Sequence, residues 1–396
     1  MKVISFSYCF PSTARPAWGV FVLQRLAALA RLADLEVVSP FPAFPFYTHL
    51  TGGHPPIADQ FGGLAVHRPR FFYVPGLFKA QDGRFYARGI RRWLEWFCRR
   101  SRPDVLDAHF IWPDGVGVSH LAGRMGIPYV ITLRGKIYPC MENRSMKRQC
   151  AAALRSAAAV ISVDSRMAEL AAELGTPADR LHVIPNGVDG KRFAPMDKAA
   201  ARAELGLPPN VRLLVTVAHL KRTKGHGEAV RALARLGGDV HLVIVGGEVE
   251  RAGYRRELKG LIGELGLRGR VHLVGPQPYD IIPKYFAAAD ASVLASHREG
   301  CPNVVLESLS CGRPVVATDV GGVPDLLPHQ GGRIVPVGDI DALAGAIGQV
   351  LAGNWPVERV RACPAVRSWE QVAQAVLDVL NGVVAGRSMD RPKDRP

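Results

Sequence analysis

Two doubly wound α/β lobes are the architecture the sequence predicts, and three observations predict it. Short β-branched runs alternate with longer segments of helical apolar spacing through the first half of the chain. After a turn-rich segment the same alternation starts again. The 396 residues are 48% hydrophobic and 21% charged, enough apolar material for two cores at about 100 to 200 residues per domain.

In the first half, strands are expected at Lys2 to Ser7, Leu35 to Ser39, Val105 to His109, Tyr129 to Leu133, Val160 to Val163 and His182 to Pro185. Helical spacing fills Gly19 to Leu32, Phe85 to Arg99, Asp114 to Met125, Lys147 to Ala157 and Ser165 to Leu174. Such βαβ alternation implies a parallel, twisted, open sheet covered on both faces. The segment Pro185 to Pro195, with Asn186-Gly187 between prolines, reads as a connector.

The second series has strands at Leu213 to Val217, His241 to Val245, Val271 to Val274, Ala291 to Leu294, Pro314 to Ala317 and Gly332 to Val335. Helices are expected at Gly227 to Leu236, Tyr254 to Leu265, Ile281 to Ala288, Asn303 to Ser310 and Leu343 to Leu351. Ser368 then caps an apolar helix to about Val384, followed by a charged, proline-containing tail expected to be disordered. The divisions are therefore 1–190, 191–366, a helix over 367–385 and a tail over 386–396.

Composition narrows the function. Scattered Gly and Pro exclude collagen-like and disordered classes, and no apolar run reaches the ~18 to 20 residues of a membrane-spanning helix. The start turns polar too soon for a signal peptide, so a cytoplasmic protein is expected. Seven cysteines without Cys-x-x-Cys spacing read as buried free thiols, and no His or Cys cluster has metal spacing, so neither metal nor cofactor is implied. Asp339-Ile340-Asp341 reads as a helix cap. The net charge of +15 favours anionic partners, yet no nucleic-acid recognition module is present. Residues 68 to 102 carry ten basic side chains against Asp82 and Glu95, interleaved with aromatics. That stretch reads either as a helix for an anionic membrane surface or as an ordinary lobe helix with its aromatics inward.

In open parallel sheets, ligands bind beyond the carboxyl ends of the strands, where helix N-termini present free N–H groups to anions. The loop after the strand ending at Leu294 contains His297-Arg298-Glu299-Gly300-Cys301-Pro302-Asn303-Val304-Val305-Leu306-Glu307. Pro302 suits the first helical position and Gly312 the end, which places Glu299 in the loop and Glu307 about two turns into the helix. Each carboxylate can accept two hydroxyls, so one suits a sugar ring and the other a ribose.

This string resembles the Glu-x7-Glu motif of glycosyltransferase family 4, retaining enzymes of the GT-B fold with two Rossmann-like lobes facing a cleft. Other segments agree in chain order. His219-Leu220-Lys221-Arg222-Thr223-Lys224-Gly225 is similar to the family's diphosphate loop, with His219 where the family has Arg, so that Arg222 is an alternative second phosphate contact beside Lys224. Val183 to Asp189 is like the hinge signature, and Thr318 to Asp325 like the glycine turn beside the donor. Asp107-Ala108-His109 resembles the family's His-x-His segment with Asp107 in the first position, and Asp114 follows it. Thr132-Leu133-Arg134-Gly135-Lys136-Ile137 is close to a string of a bacterial surface-polysaccharide branch that includes teichuronic-acid transferases, with Ile137 replacing Asp. Gly19 looks like the glycine that lets backbone amides approach the donor phosphate or the acceptor.

The resemblance implies an acceptor-binding first lobe and a second lobe that binds a UDP- or GDP-sugar. It implies a metal-independent hexosyl transfer to a glycan or lipid-linked acceptor in bacterial polysaccharide biosynthesis, at the inner face of the membrane. Glu299, Lys224 and His109 are the implied catalytic set. Gly19, His219, Arg222, Gly300, Cys301, Pro302, Asn303 and Glu307 are implied on the donor side, with Arg134 and Asp114 on the acceptor side. The last helix is expected to return to the first lobe. A sugar-nucleotide epimerase and a non-catalytic nucleotide-sugar scaffold at the membrane share the architecture and are the alternatives.

Overall fold

The computed structural model describes residues 1–43, 56–74, 76–248 and 253–390. The chain divides into unit 1, Met1–Asn186 with the segment from Trp369, and unit 2, Gly187–Ser368. The first boundary falls in the turn-rich connector Pro185 to Pro195, the second at the start of the last helix.

Unit 1 is built on an eight-stranded sheet in the order β10-β9-β8-β7-β1-β2-β5-β4. Its strands are β1 (Lys2–Phe6), β2 (Asp34–Val38), β4 (Ala58–Phe61), β5 (Leu64–His67), β7 (Val105–His109), β8 (Tyr129–Leu133), β9 (Ala159–Ser162) and β10 (Leu181–Val183). All pairs are parallel except β4 with β5. That hairpin corrects the all-parallel expectation. Gly62 and Gly63, both at positive φ, supply the two-residue turn that closes it. β3 (Phe41–Ala43) and β6 (Arg70–Phe72) form a separate parallel pair.

The helices of unit 1 are α1 (Val20–Leu29), α2 (Asp82–Arg100), α3 (Val116–Met125), α4 (Ile137–Met141), α5 (Arg144–Ser156), α6 (Ser165–Glu173) and the terminal α15 (Trp369–Asp390). Asn143 and Asp164 accept the first free amides of α5 and α6, as short polar side chains do at N-caps. α15 packs beside α1 through Trp369, Val372, Ala373 and Val376, all buried in the core that also holds Val3, Val105 and Leu26. The helix continues to Asp390, past the expected end, because Ala385 to Asp390 contain no proline to stop it. Residues 391–396 of the expected tail lie outside those described.

Unit 2 holds a six-stranded parallel sheet in the order β13-β12-β11-β14-β15-β16. The strands are β11 (Arg212–Val217), β12 (Val240–Val245), β13 (Val271–Gly275), β14 (Ala291–Leu294), β15 (Val315–Thr318) and β16 (Gly332–Val335). Its helices are α7 (Lys198–Glu204), α8 (His226–Leu233), α9 (Tyr254–Glu264), α10 (Ile282–Ala288), α11 (Asn303–Ser310), α12 (Val323–Leu326), α13 (Ile340–Ala352) and α14 (Val357–Arg361). Alternate residues of one strand feed opposite cores: Val243 and Val245 pack on one face, Leu242 and Ile244 on the other. Asp339 caps α13 by accepting from Ala342 N at 2.8 Å.

The strand orders locate the two places where a ligand fits such sheets. In unit 1 the chain reverses direction across the sheet between β1 and β7, and in unit 2 between β11 and β14. The loops leaving those strands splay apart and open a crevice. All seven cysteines are free, five of them buried.

Candidate active site

In unit 2 the loop after β11 turns through Arg222–Lys224 and then Gly225, at φ +66. A Cβ on Gly225 would lie 1.7 Å from the Ala295 carbonyl oxygen, so only glycine lets this loop rest on the loop leaving β14. His297 N donates to Thr223 O at 2.9 Å and fastens the two loops together. The result is contact between Lys224 and Glu299. The ammonium sits astride the carboxylate, Nζ at 2.7 Å from Oε1 and 2.8 Å from Oε2, and Ser296 Oγ donates to Oε1 at 2.7 Å. Only 10% of the Glu299 side chain and 25% of Lys224 is exposed.

The glycine turn holds Glu299 from behind. Gly322 N donates to Gly300 O at 2.7 Å, and a Cβ on Gly321 would come within 2.5 Å of the Glu299 carbonyl oxygen. Asn303 opens α11, while Pro302 sits one position earlier than expected, as the N-cap residue with extended ψ. Cys301 is half-buried in the same loop. One turn beyond Asn303, Glu307 is buried and accepts from Tyr279 Oη at 3.2 Å. Burial pushes its carboxyl up to about 7, and the tyrosine hydrogen bond only partly opposes that.

Two expected donor-side residues stand apart. The His219 side chain is exposed, and its carbonyl oxygen pairs with the buried His226 imidazole at 3.1 Å. Arg222 turns away from Lys224: its guanidinium is ion-paired with Glu257 and lies over the Tyr254 ring, 5.4 Å from the centroid. It lines a groove of about 470 Å³ between α8 and α9, where His297 also pairs with Glu228 at 2.9 Å.

In unit 1, Gly19 has φ +79, and a Cβ there would meet the Cys9 carbonyl oxygen at 2.3 Å. Glycine at the start of α1 thus holds the loop after β1 against the helix. His109, the last residue of β7 and a member of the set the resemblance implies as catalytic, has no exposed surface. Its Nε2 pairs with Asp107 Oδ2 at 2.9 Å, and Ser5 Oγ donates to the same carboxylate oxygen at 2.8 Å. Burial lowers the imidazole to about 4 against the pull of Asp107, so His109 is neutral at pH 7 and donates from Nε2.

Asp114, expected on the acceptor side, is fully buried. Its buried carboxyl accepts from Tyr8 N at 2.8 Å and Tyr86 Oη at 2.6 Å, and burial holds it protonated well above the usual carboxylate range. Arg134 donates to Asn186 Oδ1 at 2.7 Å and stacks over Phe21, bracing the chain where unit 1 hands over to Gly187.

The crevice of unit 1 is a cavity of about 570 Å³ whose wall combines Trp18, Tyr73 and Trp112 with Arg15, Lys79 and Lys136. Asp82 borders it, its carboxyl raised to about 6 by burial against the opposing Lys79 ammonium. Sequence reading missed these wall residues, along with Ser296 and Tyr279. The signal for Tyr73 and Lys79 was the basic, aromatic composition of residues 68 to 102, while Arg15, Trp18, Trp112 and Lys136 stand beside the motif residues Gly19, His109 and Arg134. Among the described residues no three His, Cys, Asp or Glu side chains gather as a metal site.

Residues 19–192 match the family described as Glycosyltransferase Family 4, and residues 197–364 the one described as Glycosyl transferases group 1. A Bacillus subtilis protein named as a teichuronic acid biosynthesis glycosyltransferase is 31% identical over 360 residues, 88% of each chain. A D-inositol 3-phosphate glycosyltransferase of Xylanimonas cellulosilytica is 30% identical over 91% of this chain and 90% of its own. Among solved structures, sucrose-phosphate synthase from Thermosynechococcus elongatus superposes with a TM-score of 0.78 at 23% identity, over 98% of this chain and all of the other. Anabaena HepE, solved with UDP, gives 0.76 at 22% over 96% of this chain and all of the other. At those identities the structures speak for the fold alone: two Rossmann-like lobes of the GT-B type. The chain is a glycosyltransferase and belongs to glycosyltransferase family 4.

Proposed function

We propose that the protein transfers a hexosyl residue, with retention, from a nucleoside-diphosphate sugar bound on unit 2 to a glycan or lipid-linked acceptor bound on unit 1, in bacterial polysaccharide biosynthesis. The Lys224–Glu299 pair at the β11/β14 crevice carries the reading. An ammonium has three protons, and two are engaged by Glu299. The third is left for a diphosphate oxygen, whose negative charge grows as the C1–O bond breaks. Glu299 then accepts from hexose hydroxyls on its other lone pairs, and Glu307 from the ribose. The N-terminal amides of α11 add positive field near the phosphates.

In the transfer step the bond from C1 to the β-phosphate oxygen breaks and a bond from C1 to the acceptor oxygen forms on the same face. The acceptor proton passes to the departing phosphate oxygen, so no base and no metal is required of the protein. HepE, solved with UDP and with UDP-glucose, supports a nucleotide-sugar donor, for which UDP- and GDP-sugars are the candidates. The aromatic and cationic wall of the unit 1 cavity suits an acceptor with sugar rings and an anionic group.

We place the enzyme at the cytoplasmic face of the membrane as a peripheral protein. Among the described residues no helix is long and apolar enough to cross a bilayer. Support comes from α2, whose inner face of Tyr86, Ile90, Leu94 and Phe97 is buried while its arginines and Trp96 face outward. Residues 44 to 47, part of the aromatic run expected to assist, lie outside those described.

A panel of UDP- and GDP-hexoses read by thermal shift, followed by linkage analysis of products formed on membrane extracts, tests the reading. One nucleotide sugar is expected to raise the melting temperature, and Glu299→Gln to abolish transfer. Full turnover by Glu299→Gln overturns it.

A further inference from the structure

We infer that the groove between α2 and α3 binds the phosphate headgroup of an anionic phospholipid, at a site separate from the acceptor cavity. The groove has a volume of about 380 Å³. Arg84, Arg88 and Arg91 line it from one side of α2, spaced i, i+4 and i+7, and His120 and Arg124, spaced i and i+4, face them from α3 over Leu121. No carboxylate belongs to its lining. Glu95 approaches Arg91 only to 3.8 Å, and among the described residues Arg84, Arg88 and Arg124 form no ion pair.

Like charges one turn apart destabilise a helix, and here two such rows oppose each other. The fold does not need them, because the inner faces of both helices are already filled by Tyr86, Ile90, Val118 and Leu121. A phosphate between the rows reverses the sign of the interaction, and guanidinium forks match its oxygens. His120 reports the same field: burial and then the Arg84 charge lower its pKa, an effect that a bound anion would undo.

The surroundings favour a lipid over a free anion. Round the same helix the cationic row continues through Arg92 and Arg99 to Trp96, which is 43% exposed with the Arg100 guanidinium 4.0 Å from its ring centroid. Phe72, 50% exposed, stands edge-on to Phe85 at 5.1 Å beside it. Exposed aromatics bordered by arginines fit the headgroup boundary of a bilayer, whereas a soluble phosphate has no use for them. The inference rests on the peripheral-membrane reading above and adds a defined site to it.

Flotation with phosphatidylcholine vesicles, with and without phosphatidylglycerol, compares the full chain with Arg88→Gln/Arg124→Gln and with Arg99→Gln/Arg100→Gln. Both double variants lose the same charge, and transferase activity in detergent is expected to be unchanged in each. Each lost charge weakens partition about fivefold through the general field. The groove variant is expected to fall at least tenfold below the other, and the His120 ring resonances to shift saturably with monomeric dihexanoyl-phosphatidylglycerol. Equal losses in the two variants overturn the groove while leaving membrane binding intact. Unmoved His120 resonances, or equal saturation by inorganic phosphate, overturn the lipid as ligand. Failure of the wild type to float on phosphatidylglycerol overturns the membrane reading itself and the inference with it.

Discussion

Glu307 occupies a place where its own charge is unwelcome, and replacing it by glutamine exposes the cost. The carboxyl is 7% exposed and has Tyr279 Oη, at 3.2 Å, as its hydrogen-bond donor. Burial raises its pKa from 4.5 to about 7, and at 1.36 kcal/mol per pH unit that is a penalty of about 3 kcal/mol on the ionised form. The folded protein keeps this proton to higher pH than the unfolded chain does. Below 4.5 both states are protonated and nothing is lost; between 4.5 and 7 the unfolded state ionises first, so stability declines as pH rises; above 7 the full penalty stands. Glu307→Gln is neutral throughout. Its stability relative to wild type should therefore climb from under about 1 kcal/mol at pH 5 to about 3 kcal/mol at pH 8. Urea unfolding at the two pH values, with amide-exchange protection of β14 reporting unit 2, measures it. Ribose hydroxyls need the ionised carboxylate, so donor affinity of the wild type should weaken up to about tenfold per unit as pH falls below 7, and this dependence should vanish in the variant. Parallel stability profiles for the two proteins would refute the argument, because they would mean that Glu307 ionises as easily inside the fold as outside it.

Lys224→Ala strips Glu299 of both charge-assisted bonds and the departing diphosphate of its cation; steady-state kinetics should show kcat reduced by about 10²- to 10³-fold with the fold intact. Gly225→Ala puts a methyl 1.7 Å from the Ala295 carbonyl oxygen at φ +66 and should cost more than about 3 kcal/mol. Gly260→Ala, mid-helix in α9 with nothing within 4 Å, should instead stabilise by up to about 1 kcal/mol in the same denaturation assay. Glu257→Gln releases Arg222; if that guanidinium then serves the diphosphate in place of the missing family arginine at His219, calorimetry should show UDP binding tightened several-fold, and not at all in the Arg222→Ala background.

The alternation of strands and helices was legible because the strands of both sheets, the β4–β5 hairpin apart, pair in parallel, so most of them read as short, largely apolar runs. The four short strands between Phe41 and Phe72 carry no such run. Ala58–Phe61 has no buried residue, and its pairing depends on the Gly62-Gly63 turn, a signal two residues long. Strand order was not legible at all, and the site depends on it. Lys224 and Glu299 are 75 residues apart and meet because β11 and β14, separated in the chain by β12 and β13, are neighbours in the sheet. The motif resemblance named both residues without saying that they touch. It also named Arg222 and His109 beside them, and local physics explains where those two side chains sit. Arg222 has a carboxylate and an aromatic face within reach on α9, while His109 ends a central strand flanked by Asp107, also without exposed surface. The basic, aromatic stretch shows the same limit from the other side. Composition left a membrane helix and an ordinary lobe helix open, and the helical period of α2 separates them by face: Tyr86 and Phe97 go inward, while Trp96, Arg88 and Arg92 turn to solvent. A helix can therefore satisfy both descriptions at once, with one face anchoring the unit and the opposite one carrying a row of arginines that the core does not require.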